Sequence, residues 1–322
     1  MTVTPNLTAL VADLGGTNTR VALTDGGPVR TETIQRFRNA DHPDLLSVLR
    51  AYMAGQSVVP DAACVAMAGP VRDGVGELTN LSWTVDRRSV AEATGAKTVA
   101  VLNDLQAQGH ALDHLTPDVL QTILPGQKAG DHAARLVIGV GTGMNAAAVY
   151  RLGDRTLVPP SEAGHVSLPA QTGDELRLLD WIAQKHGTPG FEDVLSGRGF
   201  ERVYEWLCHE AGVDAPLDAG GIMQALNDGS SRIAEDAARM FIRMMGRAAG
   251  NLALVHLPFG GIYLIGGVAR HFAPHLERLG FREAFYDKGR FSDFMEQFPV
   301  HLVDDDYAAL TGSAAHLMEL MG

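Results

Sequence analysis

Val11-Ala12-Asp13-Leu14-Gly15-Gly16-Thr17-Asn18-Thr19-Arg20-Val21-Ala22-Leu23 is the stretch that decides the fold. Residues 7–13 are almost all apolar, and the run stops at Gly15-Gly16-Thr17-Asn18. A second run, Arg20-Val21-Ala22-Leu23-Thr24, ends in Asp25-Gly26-Gly27. The order is strand, tight turn, strand, turn. The device returns later: Leu136-Val137-Ile138-Gly139-Val140, then Gly141-Thr142-Gly143, then Ala146-Ala147-Ala148-Val149-Tyr150. A third apolar run, Ile262-Tyr263-Leu264-Ile265, ends in Gly266-Gly267 and passes into a helix. An apolar strand delivering a glycine-rich hairpin turn, once in each half of the chain, predicts two similar α/β domains facing each other across a cleft.

Length agrees with two domains, because a single core rarely grows past about 250–300 residues and this chain has 322. No low-complexity linker marks the boundary. The pattern places it near residue 112, with a smaller domain over 1–112 and a larger one over 113–302. The C-terminal segment, 303–322, is expected to return to the first domain, with Thr311-Gly312-Ser313 ahead of its helix. Further strands are expected at 63–67 and 98–102, and helical periods at 44–53, 89–94, 104–110 and 175–186. Ser231 can N-cap a long helix that Pro258 ends. Its methionines, Met240, Met244 and Met245, read as core filler.

Composition excludes several function classes. The 38 acidic and 26 basic residues give a formal net charge of −12, the wrong sign for a nucleic-acid or membrane-surface partner. A nucleotide remains compatible, since it needs only a local site and a metal ion. Cys64 and Cys208 are the 2 cysteines, too few for a disulfide framework or a thiolate zinc site. Cys64 lies in an apolar run and reads as a small core residue. No signal peptide and no membrane span is expected, which places the protein in the cytoplasm.

The turn at Asp13, Gly15, Gly16, Thr17 and Asn18 can hold phosphate. Glycines let backbone N–H groups approach a bulky anion, and Thr17 adds a hydroxyl donor. Asp13, at the strand end, can hold a hydrated Mg²⁺, which takes one or two carboxylates plus phosphate oxygens. A plain hairpin turn with a surface Asp is the competing reading; the repeat at Gly141, Thr142 and Gly143, with Gly266 and Gly267, favours phosphate. No G-x-x-x-x-G-K-[ST] is present, so the chain is not a P-loop protein. Gly139-Val140-Gly141-Thr142-Gly143 is followed by a strand rather than a helix, so the dinucleotide-binding context fails.

Val99-Ala100-Val101-Leu102-Asn103-Asp104 is a buried strand ending in Asn-Asp at a strand-to-helix junction. A carboxylate there can accept a proton from a hydroxyl that attacks phosphorus; an N-cap Asp is the plainer alternative. Glu162 and His165 share the short loop Ser161-Glu162-Ala163-Gly164-His165-Val166, and Glu192 follows in Phe191-Glu192-Asp193. Carboxylates and imidazoles suit the paired hydrogen bonds that vicinal hydroxyls of a sugar require, although each alone also fits a solvated loop. One Glu/His pair supplies too few ligands for zinc.

Taken together, these segments resemble the bacterial glucokinase family, the branch distinct from the ROK kinases, within the actin-like ATPases. The resemblance covers nearly the whole chain. It rests on VADLGGTNTRVAL (11–23), MAGPVRDGVGELTNLSW (67–83), LNDLQA (102–107), VIGVGTG (137–143), SEAGHV (161–166), EDVLSGRG (192–199), MGRAAGNLAL (245–254), FGGIYLIGGVARHF (259–272), FREAFYDKGRF (281–291) and LTGSAAHL (310–317), in order. The ROK branch carries a cysteine-rich zinc motif that two cysteines cannot supply. The resemblance implies two actin-like ATPase (ribonuclease H-like) domains and an ATP- and Mg²⁺-dependent glucose kinase. It implies sugar binding by Asn103, Asp104, Glu162, His165 and Glu192, with Asp104 as base. It implies a first phosphate loop from Asp13 to Asn18, a second at 139–143, an adenosine contact at Gly266-Gly267, and a homodimer.

The family usually has an apolar residue and then glycine after Gly-Thr-Gly; here Met144 is followed by Asn145. Asparagine tolerates the left-handed region best among non-glycine residues, so a positive φ is expected at Asn145; ordinary backbone with the side chain facing water is the plainer alternative. A kinase for another hexose is the alternative enzyme reading. A sugar-sensing DNA-binding regulator is the alternative from a different class. Such regulators carry an additional N-terminal helix-turn-helix, for which a first strand starting near Leu7 leaves no room.

Overall fold

The computed structural model describes residues 7–78 and 81–322; residues 1–6 and Thr79-Asn80, the latter within the segment 67–83, lie outside the described residues. The chain divides into two units, the first taking residues up to Pro117, 151–160 and 305–322, the second taking 118–150 and 161–304.

The first unit holds strands β1 (Thr8–Leu14), β2 (Asn18–Asp25), β3 (Gln35–Arg38), β4 (Ala62–Met67), β5 (Val71–Arg72), β6 (Val75–Glu77), β7 (Thr84–Asp86) and β8 (Thr98–Asn103). Five of them form a sheet in the order β3-β2-β1-β4-β8, and β5-β6-β7 form a small second sheet. β1 and β2 are the antiparallel hairpin, and β4 runs parallel to β1 and β8. Every residue of β4 is buried, as expected of a parallel strand covered on both faces.

The two-residue period assigns each face to different helices. Leu10, Ala12, Leu14, Ala63 and Val65 face helices α1 (Leu45–Ala54) and α2 (Arg87–Thr94). Ala9, Val11, Cys64, Ala66 and Leu102 face α3 (Asp104–Ala111) and the C-terminal helix α11 (Ala308–Met321). Asp44 and Asp86 cap α1 and α2 by accepting from the Ser47 and Ser89 N–H groups. Thr311-Gly312-Ser313 lies inside α11 rather than ahead of it. Gly312 is where α11 crosses α3, because a Cβ there would collide with the Ala107 carbonyl oxygen. Burial pushes the Cys64 thiol up to about 12, so it is an inert core group.

The second sheet contains β9 (Leu120–Leu124), β10 (Arg135–Val140), β11 (Met144–Leu152), β12 (Arg155–Leu157), β13 (Ile262–Ile265) and β14 (Val300–Val303). Its order is β12-β11-β10-β13-β14-β9. Setting aside the terminal β9, this repeats the first sheet: third, second, first, fourth, fifth. It is again a hairpin beside parallel strands. The repeated device in the sequence is thus a repeated topology, that of the actin-like ATPases. Helices α4 (Gly173–His186), α5 (Gly197–Ala211), α6 (Ala219–Asn227), α7 (Arg232–His256), α8 (Gly267–Phe272), α9 (Phe281–Tyr286) and α10 (Ser292–Met295) complete the second unit. Ser231 caps α7, and Leu257, at φ 46, ends it just before Pro258. Met244 and Met245 are buried in the core with Phe241, which stacks on Phe272 at 4.4 Å.

Candidate active site

In each unit the candidate residues gather at the carboxyl-terminal edge of a sheet, where ligands of α/β proteins bind. In the first unit Leu14, Met67 and Asn103 are in register across β1, β4 and β8. The turn after β1 and the junction after β8 therefore lie on the same edge. The Gly15 N–H donates to the Asn18 carbonyl at 3.0 Å and closes the turn. Asn39, which is buried, holds its shape. Its Nδ2 donates to the Gly15 carbonyl at 2.8 Å, its backbone N–H to the Thr17 carbonyl at 2.9 Å, and its Oδ1 accepts from the Thr19 hydroxyl at 2.8 Å. Asp13 pairs across the strands with Arg20, and Arg20 Nη1 meets Asp13 Oδ2 at 3.2 Å. Burial pushes the Asp13 carboxyl up, and the Arg20 guanidinium opposes it.

At the end of β8 the cap of α3 is Asn103, not Asp104. Asn103 Oδ1 accepts from the Leu105 N–H at 2.9 Å, and Gln106 Oε1 accepts from the Asn103 N–H at 3.1 Å, a reciprocal capping box. Asn103 Nδ2 donates to the Gly69 carbonyl at 3.0 Å, and Gln106 Nε2 to the Val158 carbonyl at 2.8 Å. Asp104 is the first helical residue, and its Oδ1 accepts from the Leu105 N–H at 2.8 Å. The N-cap alternative for Asp104 is thereby excluded.

In the second unit the turn between β10 and β11 is closed by the Gly141 N–H to the Gly143 carbonyl at 2.8 Å. Gly139 pairs with Ile265, so the turn shares its edge with Gly266 and Gly267 at the end of β13. Gly266, at φ 109, caps α8, and a Cβ there would collide with the Val140 carbonyl. At Gly141 and Gly267 an added Cβ would meet nothing within 4 Å, so both open onto space. Ser196 caps α5, and the Gly197 N–H donates to the Gly141 carbonyl at 2.9 Å.

Glu162, His165 and Glu192 come together beside this turn. The Glu192 N–H donates to the Gly164 carbonyl at 2.9 Å, and the His165 N–H to the Glu162 carbonyl at 3.1 Å. Glu192 Oε2 accepts from the Met144 N–H at 3.0 Å, and Glu192 Oε1 lies 3.5 Å from Arg198 Nη2. Burial pushes the Glu162 carboxyl up; the His165 ring opposes this and the Glu192 charge adds to it.

The expectation for Asn145 is corrected. Among the described residues, Asp73 and Leu257 are the non-glycine residues with positive φ. The strand resumes at Met144, not Ala146, and Asn145 pairs with Gly139 in extended conformation. Its amide instead bonds to neighbouring backbone. Asn39, Arg20 and Arg198 are polar residues beside these turns that sequence reasoning did not assign. Only Arg20 had a usable signal, standing opposite Asp13 in the predicted hairpin.

A profile of the family described as glucokinase matches residues 10–320. The chain belongs to the glucokinase family. The glucokinase of Erwinia tasmaniensis is 34% identical over 318 residues, covering 98% of each chain. That of Psychromonas ingrahamii is likewise 34% identical over 318 residues, with 98% of each covered. A glucokinase crystal structure from an Antarctic psychrotroph is 33% identical and superposes with a TM-score of 0.85, covering 97% of this chain and 99% of that one. The glucokinase pattern Gly-Thr-Gly, the Asn103-Asp104 junction and the Glu162–His165 loop thus lie within the matched residues of this chain. No helix among the described residues is long and apolar enough to cross a membrane.

Proposed function

We propose that this chain transfers the γ-phosphoryl group of ATP to the 6-hydroxyl of glucose, giving glucose 6-phosphate and ADP. The observation that carries the reading is the position of Asp104. It stands at the carboxyl end of β8 on the sheet edge that also bears the Gly15–Asn18 hairpin, and Asn103 relieves it of the capping role. A carboxylate so placed takes the proton of the attacking hydroxyl, so that oxygen bonds to phosphorus as the bond to ADP breaks.

The sugar is bound by Asn103, Asp104, Glu162, His165 and Glu192. The raised Glu162 carboxyl fits a group that exchanges hydrogen bonds with neutral hydroxyls. The turns at Gly15, Gly16, Thr17, Asn18 and at Gly141, Thr142, Gly143 offer N–H and hydroxyl donors to the phosphates. The open space at Gly141 and Gly267 suits a nucleotide. Asp13 fits a hydrated Mg²⁺, since a strand-end carboxylate beside a phosphate turn is the donor such an ion takes; when bound, the ion neutralises phosphate charge. Arg20 holds the Asp13 carboxylate by its Oδ2. A homodimer in the cytoplasm completes the proposal.

A coupled kinase assay over a panel of hexoses and phosphoryl donors tests it. Glucose with ATP and Mg²⁺ is expected to give the highest kcat/KM. Turnover of another hexose well above glucose would replace the substrate, and no phosphoryl transfer to any sugar would overturn the reading.

A further inference from the structure

Asn145 follows the Gly141-Thr142-Gly143 turn in sequence, and its side chain reaches the loop that bears Glu162. Asn145 Nδ2 donates to the Ser161 carbonyl at 2.6 Å, and its Oδ1 accepts from the Ala163 N–H at 2.9 Å. One amide therefore grips the backbone on both sides of Glu162. The same Oδ1 accepts from the Ala146 N–H at 2.8 Å, which fixes the orientation of the amide against its own strand. The strand is itself fixed, since Asn145 pairs with Gly139 in the middle of the second sheet. Glu162 itself lies at φ −125, ψ 51, between the two anchored residues and ahead of the short helical turn 163–165.

The neighbouring residue does the same for the second carboxylate, because the Met144 N–H donates to Glu192 Oε2. The two bonds differ in origin. Any residue at position 144 except proline supplies an N–H, whereas the grip on residues 161 and 163 requires an amide side chain at 145. Space is tight here as well: a Cβ at Gly164 would collide with the Met144 carbonyl, and one at Gly143 would lie 2.5 Å from Glu192 Oε2. The loop bearing Glu162 thus presses directly on the strand that leaves the Gly141–Thr142–Gly143 turn.

We infer that Asn145 is a positioning residue for the sugar subsite, holding Glu162 in place although it follows the nucleotide turn in sequence. The inference rests on the reading of Glu162 as a sugar ligand. Glycine at 145 would keep the extended backbone and lose the grip, so the asparagine serves the sugar and not the shape of the phosphate turn.

The test compares Asn145→Ala, Asn145→Gly, Glu162→Gln and the double variant Asn145→Ala/Glu162→Gln in steady-state kinetics, with glucose titrated by calorimetry. Asn145→Ala is expected to raise the glucose KM and Kd about tenfold, the factor that about 1.4 kcal/mol carries, with the ATP KM within about twofold. Asn145→Gly, which the extended backbone accepts, should match it and provides a second variant if alanine lowers the yield. Because Asn145 acts through Glu162, adding Asn145→Ala to Glu162→Gln should change the glucose Kd little further. Unaltered glucose Kd in both Asn145 variants, beside a weakened Glu162→Gln, overturns the inference while leaving the functional reading standing. Unaltered glucose Kd in Glu162→Gln overturns both the inference and the assignment of Glu162. A rise in ATP KM equal to that in glucose KM, or a fall in thermal stability alone, reduces Asn145 to a structural residue and also overturns it.

Discussion

Asn39→Ala isolates the part of the phosphate turn that depends on one buried side chain. The substitution removes the acceptor of the Thr19 hydroxyl and the donor to the Gly15 carbonyl, at 2.8 Å each. It leaves the backbone bond from Asn39 to Thr17 in place. Thr19 is fully buried, so its hydroxyl has no water to turn to, at about 1–3 kcal/mol. The lost bond to Gly15 adds about 0.5–1.5 kcal/mol. The sum, about 1.5–4.5 kcal/mol, corresponds to a melting temperature lower by about 3–9 °C at roughly 2 °C per kcal/mol for a chain of this size. The assay is thermal denaturation followed by circular dichroism, alongside KM for both substrates. The ATP KM should rise several-fold, because Gly15 loses the bond that fixes its carbonyl, while the glucose KM stays nearly constant. A melting temperature within about 1 °C of wild type with an unchanged ATP KM would refute the clamp.

Two further predictions concern the first unit. The His110 and His316 rings lie 4.5 Å apart. Burial, aided by the charge of His316, holds His110 down to about 3, and burial, aided by Arg87, lowers His316. A depressed histidine is neutral in both states above about pH 6.5, so it costs nothing there. Below that the unfolded chain binds protons the folded one refuses, and stability falls as pH drops toward 3. By pH 5 the loss attributable to His110 should reach about 2 kcal/mol, read as wild type losing denaturant resistance from pH 7 to 5 faster than His110→Leu; parallel losses would contradict it. Gly312→Ala should destabilise by about 1–3 kcal/mol, because a Cβ there meets the Ala107 carbonyl. A neutral effect on the denaturation midpoint would show that α11 and α3 can part without strain.

Much of this architecture was legible because local chemistry and global fold agree. The apolar runs of β1, β10 and β13 each end in glycines that the turns use, and Ser231 caps the long helix where the pattern starts it; Asp44 and Asp86 cap the first two helices at positions the pattern did not mark as caps. Asp104 was readable as a strand-end carboxylate, though only the structure shows that Asn103 takes the cap. β3 was not legible, since Gln35-Arg36-Phe37-Arg38 is an edge strand without a buried face. Asn39 and Asn145 were not legible either. Their bonds span 24 and 16 residues, and a contact between distant positions leaves no period in the sequence. The left-handed expectation at Asn145 failed for the same reason: local propensity was used where a long-range pairing with Ser161 and Ala163 decides the residue.

The central claim is that Asp104 takes the proton from the sugar hydroxyl. Asp104→Asn keeps the shape and the oxygen that accepts from the Leu105 N–H, and removes the proton affinity. Measured with saturating glucose and ATP on protein whose melting temperature matches wild type, its kcat should fall by about 10²–10⁴-fold. A kcat near that of the wild type would contradict the assignment.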